Sequence, residues 1–160
     1  MLKPYLDSSV IVKRYVSEPG SSSVDLVFDK GEAGEICLAT SIWNFGEVLG
    51  VLDEKLRRGW LAEDEFKTAL ENFASEMTRM ARLKVLEVVP VVTPILVDSW
   101  PLILRQHIYE ADALQIQTCI YCGGDVLLSA DKELIDLATK RGLKALDVEK
   151  KRKIKEFLGL

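Results

Sequence analysis

The stretch Pro4-Tyr5-Leu6-Asp7-Ser8-Ser9-Val10-Ile11-Val12-Lys13 decides how the rest of the chain is read. Its apolar start has the character of a short strand, Asp7 ends that strand, and an amphipathic segment follows at helical periodicity. A nucleotide-binding fold would want glycines between this first strand and helix, and Asp7 to Tyr15 contains none. A phosphatase of the haloacid-dehalogenase type would need a second aspartate two residues on, where Ser9 stands.

Short apolar runs and longer helical stripes alternate along the whole chain, the pattern of helices packed on both faces of a mostly parallel sheet. Strands are predicted over residues 3–7, 35–39, 86–89, 125–129 and 144–147, and helices over 9–15, 21–28, 41–58, 62–83, 94–107, 109–122, 132–141 and 150–158. The expected fold is a three-layer α/β/α sandwich. Segments 41–58 and 62–83, joined at Gly59-Trp60, read as a helical hairpin, either projecting from the sheet or packed on it. Along its second arm Phe66, Leu70, Phe73, Met77 and Met80 recur at steps of three and four, a stripe for the core or for a partner.

A chain of 160 residues with 48% hydrophobic content suffices for one domain with a real core, so residues 1–160 are expected to form a single unit. No apolar run approaches the roughly 18 residues of a membrane span, and the start lacks the pattern of a secretory signal, so a cytoplasmic location is expected. Three cysteines, Cys37, Cys119 and Cys122, are too few and too odd for a disulfide framework. With one histidine, His107, they do not make a zinc set, and Cys119-x-x-Cys122 reads as small buried residues. A net charge of −4 excludes a protein that grips nucleic acid over its whole surface. It leaves room for a local basic rim, and the clusters Lys13-Arg14, Lys55/Arg57/Arg58, Arg79/Arg82/Lys84, Lys140-Arg141 and 150–155 each read first as a solvated helix face.

Four acids stand where chemistry is expected. Asp7 and Asp131 each follow an apolar strand, and in open α/β sheets the carboxyl ends of the strands form the ligand crevice. Asp131 also suits the first turn of the helix after it, where free amides and the helix dipole favour an acid. Glu47 points away from the predicted stripe Ile42, Phe45, Leu49, Leu52 and Leu56, toward solvent or a cleft. Nearby Gly46 and Gly50 each cost a helix about 1 kcal/mol relative to Ala, which suggests a close approach there. Asp112 shares its helical face with Ile108, Ile116 and Cys119. A carboxylate on an apolar stripe has to be paired, protonated or bound to a metal.

In this arrangement the chain resembles the PIN domain family, and within it the toxin ribonucleases called VapC. Tyr5 to Lys13 followed by Glu18-Pro19-Gly20 looks like the family's first motif; Glu47, the run Tyr109-Glu110-Ala111-Asp112-Ala113, and Leu128-Ser129-Ala130-Asp131 are similar to the second, third and fourth. The likeness spans nearly the whole chain in the right order, with Ser129 where the family more often has Thr and Leu134 where Phe is frequent.

The resemblance implies a metal-dependent ribonuclease, the toxin of a toxin-antitoxin pair. Asp7, Glu47 and Asp112 would be the main metal ligands, Asp131 would complete the pocket, and Ser9 and Ser129 would support it. A partner antitoxin and a homodimer are implied too, with Trp60, Phe66 or Phe73 as interface anchors. The remaining alternatives are a housekeeping RNA-processing nuclease of the same fold and a scaffold that binds RNA or protein without cutting.

Four carboxylates also have a physical reason to want an ion. Two of them about 4 Å apart repel by roughly 4 kcal/mol at an effective dielectric near 20. A hard divalent cation relieves that repulsion, and all-oxygen ligands suit Mg²⁺ or Mn²⁺ rather than zinc.

Overall fold

In the computed structural model, which describes all 160 residues, five short strands lie side by side. They are β1 (Pro4–Leu6), β2 (Leu38–Ser41), β3 (Leu86–Val89), β4 (Val126–Ser129) and β5 (Ala145–Asp147), in the order β3-β2-β1-β4-β5. Every pair is parallel, and the central residue Tyr5 stands opposite Ala39 on one side and Leu127 on the other. From β1 the chain builds outward through β2 and β3, then crosses to β4 and β5. The order therefore reverses between β1 and β4, the point at which open α/β sheets form their ligand crevice beyond the carboxyl ends of the strands.

Alternation of side chains divides the core in two. Leu6, Leu38, Val126 and Leu128 face a layer built from α1 (Ser8–Tyr15), α2 (Ser21–Glu32), α3 (Ile42–Arg57), α4 (Glu63–Arg82) and α8 (Lys151–Leu158). Tyr5, Ala39 and Leu127 face α5 (Thr93–Gln106), α6 (Glu110–Tyr121) and α7 (Lys132–Lys140). β1 and β4, buried on both faces, read as nearly unbroken apolar runs, which is why the sequence pattern located them. Each fully buried Leu, Val or Phe contributes about 1.5–3 kcal/mol. No helix is long and apolar enough to cross a membrane.

The structure moves several predicted features. α2 runs on to Glu32 instead of stopping at Phe28, and Gly31 in its last turn packs so closely on β2 that a Cβ there would lie 2.9 Å from Leu38 Cγ. The chain turns at Gly34, at φ 71°, and β2 consequently occupies 38–41 rather than 35–39. Its polar end is buried but satisfied: Thr40 Oγ1 donates to the Leu6 carbonyl at 2.8 Å, and Ser41 Oγ accepts from the Trp43 amide to cap α3.

The predicted stripe on α3 is also corrected. Asn44, Val48 and Leu52 are the buried positions, with Phe45 and Val51 packed beside them, whereas Ile42 and Leu49 are each 46% exposed. Asn44 can go inside because its amide finds polar partners, so the true inner face is rotated from the purely apolar one. The hairpin of α3 and α4 exists but packs in the helical layer. Phe73, Met77 and Met80 of α4 are buried in the main core, and Phe66 is half-buried against it. Phe73 meets Tyr15 and Phe45 edge-on at 5.6 and 5.3 Å, so it is not an available interface anchor, while Trp60 remains exposed.

Candidate active site

Asp7 leaves the end of β1 directly into α1 and is buried at 4% exposure. Its Oδ1 caps α1 by accepting from the Val10 amide at 3.0 Å and takes a second bond from Ser9 Oγ at 2.6 Å, while Oδ2 accepts from Ser129 Oγ. Ser129 ends β4, and Ser9 Oγ also accepts from the Ala130 amide at 2.9 Å, so the two serines bind the carboxyl ends of β1 and β4 together around Asp7. Burial pushes the Asp7 carboxyl up to about 6 against the pull of its three donors, and the negative charge of Glu47 pushes the same way.

Asp131 is exposed and performs the predicted capping role: its Oδ1 accepts from the Glu133 and Leu134 amides at 2.8 and 3.3 Å. Its own amide donates to Ser129 Oγ at 2.9 Å, which ties the start of α7 to the same serine that holds Asp7. Capping therefore accounts for one carboxylate oxygen of Asp131. It does not account for its effect on Asp112 across the crevice. Burial raises the Asp112 carboxyl first, and the charges of Asp131, Glu47 and Glu133 add to that rise. Asp112 sits in the first turn of α6, and Glu47 one turn into α3 beyond the buried Asn44.

Glu47 thus acts on both Asp7 and Asp112, and Asp131 acts on Asp112 together with Glu133 of α7, which sequence reasoning did not single out. None of the five forms an ion pair with a basic side chain, although acids elsewhere pair freely with Lys and Arg. No three His, Cys, Asp or Glu side chains stand close enough to enclose an ion as placed, so the acids form an open ring rather than a closed cage.

Beneath the acids lies a second group that sequence reasoning missed. Tyr5 Oη donates to Gln115 Oε1 at 2.7 Å, and Gln115 Nε2 donates to Asn44 Oδ1 at 2.5 Å and to Glu47 Oε2 at 3.2 Å. Asn44 Nδ2 in turn donates to the Leu6 carbonyl at 3.0 Å and to Thr40 Oγ1 at 2.9 Å. The available signal was spacing: Asn44 lies three residues before Glu47 and Gln115 three after Asp112, so each amide shares a helical face with an acid.

Of the cysteines only Cys119 is a buried core residue, whereas Cys37 and Cys122 are partly exposed. Cys119 is fully buried under Gly124, whose Cβ would meet its sulfur at 2.9 Å, and burial pushes its thiol up to about 12. All three thiols are free. The basic clusters are corrected in part: Lys13 is buried between Glu18 and Glu149, and Arg14 pairs with Asp25 and Glu76, so neither is a solvated face.

Comparison with known proteins bears on this geometry. The family model of the PIN domain matches residues 5–140. Among solved structures, FitAcB from Neisseria gonorrhoeae superposes with a TM-score of 0.66 at 14% identity, over 91% of this chain and 97% of its own. PAE2754 from Pyrobaculum aerophilum gives 0.67 at 16% over 99% and 98%. VapC20 from Mycobacterium tuberculosis, described as a toxin that cleaves the sarcin-ricin loop, gives 0.60 at 14% over 88% and 95%. At such identities the likeness is one of fold. No curated protein sequence matches the chain.

Proposed function

The chain belongs to the PIN domain family, and from that premise we propose that it is a divalent-metal-dependent ribonuclease, the toxin of a toxin-antitoxin pair. The observation that carries this reading is the unpaired acidity of the crevice. Asp7 is buried, raised toward neutrality and faces the charge of Glu47, while Asp112 is raised by burial and by three further acids. A structural core would neutralise such a group with Lys or Arg, or replace it. The arrangement suits a hard cation, since the donors are carboxylate oxygens and the sole histidine, His107, ends α5.

Asp7, Glu47 and Asp112 would hold Mg²⁺ or Mn²⁺, directly or through water, and Asp131 would complete the pocket. When bound, such an ion supplies Lewis-acid stabilisation of the charge that develops on a phosphodiester under attack by water. The remaining work belongs to the protein. Ser9 and Ser129 fix Asp7 in one rotamer, so that arm of the site is preorganised. Asp131, whose Oδ1 is engaged by α7, keeps its other oxygen free of hydrogen bonds to the protein and would help to place the water.

RNA as substrate is the reading that accords with VapC20, a toxin that cleaves the sarcin-ricin loop. An antitoxin partner is consistent with FitAB and with VapBC2 from Rickettsia felis, each described as bound to DNA. For that partner or a second copy of this chain, exposed Ile42, Trp43 and Leu49 on α3 and Trp100 and Leu104 on α5 replace Phe73 as anchors.

Incubating a mixed RNA pool with the pure protein tests the proposal. Cleavage in Mg²⁺ or Mn²⁺ that stops in EDTA is expected. Intact RNA at every metal concentration, from folded protein free of a copurifying inhibitor, would instead favour a binding scaffold.

A further inference from the structure

We infer that Gln115 is a positioning residue that sets the direction of Glu47 in the acid ring, an inference that rests on the nuclease reading above. Its carboxamide can adopt only one orientation. The Leu6 carbonyl can only accept, so the atom of Asn44 at 3.0 Å from it must be Nδ2, and Asn44 Oδ1 therefore faces Gln115. The atom of Gln115 at 2.5 Å from Asn44 Oδ1 must then be Nε2, which leaves Oε1 to accept from Tyr5 Oη at 2.7 Å. Each assignment forces the next. Nε2 has two hydrogens, and with one on Asn44 the other reaches Glu47 Oε2 at 3.2 Å.

All three supports are inside the protein: Tyr5 and Asn44 at 0% exposure and Gln115 at 3%. Apolar side chains would fill the same space without needing partners, so a chain of amides here requires some other reason. Position supplies one. Gln115 lies one turn beyond Asp112 on α6, and its amide crosses to α3, one turn from Asn44 to Glu47. The same side chain thus joins the helices that carry two of the acids and engages one oxygen of Glu47. A donor aimed at Glu47 also offsets the repulsion it meets from Asp7 and Asp112.

Gln115→Met, which keeps the length and removes the donor, is the main test, with Tyr5→Phe as a milder variant that leaves Gln115 oriented by Asn44 but removes the hydroxyl that holds its Oε1. Mn²⁺ affinity by calorimetry, kcat, KM for RNA and thermal melting are measured on each. Gln115→Met is expected to lower Mn²⁺ affinity and kcat by about 10- to 100-fold, the usual effect of removing a partner behind a metal ligand. KM for RNA should stay unchanged, and Tyr5→Phe should shift the same quantities by less. If Gln115→Met does not fold, Tyr5→Phe alone decides by the same criteria. Wild-type Mn²⁺ affinity and kcat in the folded variant, or losses that follow melting temperature and KM together, would overturn the inference and leave the nuclease reading standing. A wild-type protein that neither binds Mn²⁺ nor cuts RNA would remove that reading, and the inference with it.

Discussion

Asp7 is held by three donors, yet its carboxyl is raised, because desolvation outweighs its hydrogen bonds. Its carboxyl moves from an ordinary 3.8 to about 6. Between those values the folded chain keeps a proton that the unfolded chain has released, so stability falls as pH rises through that window. At about 1.4 kcal/mol per pH unit the deficit reaches about 3 kcal/mol above pH 6. Asp7→Asn should remove it. Urea melts in EDTA are expected to show the variant and the wild type equal near pH 3.5 and the variant more stable by about 2–3 kcal/mol at pH 7; a difference that does not vary with pH would contradict this. The acid was legible in the sequence because it ends an apolar strand. Asn44 and Gln115 were not, since neutral amides on a helix read as solvent-facing until the partners that satisfy them are known.

At the scale of elements, β1 and β4 were legible because both faces of each are buried, and a mostly parallel sheet was legible from the alternation of strands with helices, whereas the strand order was not. β2 and α2 were misplaced by a few residues because two local features defeat pattern reading: a helical glycine that serves close packing, and polar strand residues satisfied by neighbouring backbone. α3 was misjudged for the same reason on its inner face. On its outer face nothing lies within 4 Å of a Cβ built at Gly46 or Gly50, beside exposed Ile42, Trp43 and Leu49. The close approach that these glycines suggest therefore does not come from this chain. Gly46→Ala is expected to stabilise the isolated monomer by about 1 kcal/mol. If a partner packs there, the same substitution weakens association, which sedimentation alongside chemical melts would separate. Gly31→Ala should instead destabilise by about 1–3 kcal/mol, because its methyl meets Leu38.

Taken whole, the molecule carries a net charge of −4 and concentrates unpaired acid beyond the carboxyl ends of the central strands. Much of its basic charge is internally matched, as at Lys13, Arg14, Lys55 and Arg79. Lys132, Lys150 and Lys153 line a cleft of about 290 Å³ beside β5, whose Asp147 is in register with Ser129. RNA binding should accordingly be weak without a divalent ion and should become less salt-dependent when Lys150 and Lys153 are replaced by Ala. In filter binding the slope of log affinity against log salt is expected to shrink by about 0.7 for each phosphate that the protein no longer neutralises. An unchanged slope would place the strand elsewhere.

Cleavage of RNA by the acid ring can be tested with a control on the same helix, α6. Asp112 faces the other acids, whereas exposed Glu110, two residues earlier, does not perturb it. Single-turnover cleavage in Mn²⁺ should therefore fall at least about 100-fold in Asp112→Asn, and Glu110→Gln should cut like the wild type. Equal cleavage by Asp112→Asn and the wild type would contradict a nuclease centred on these acids.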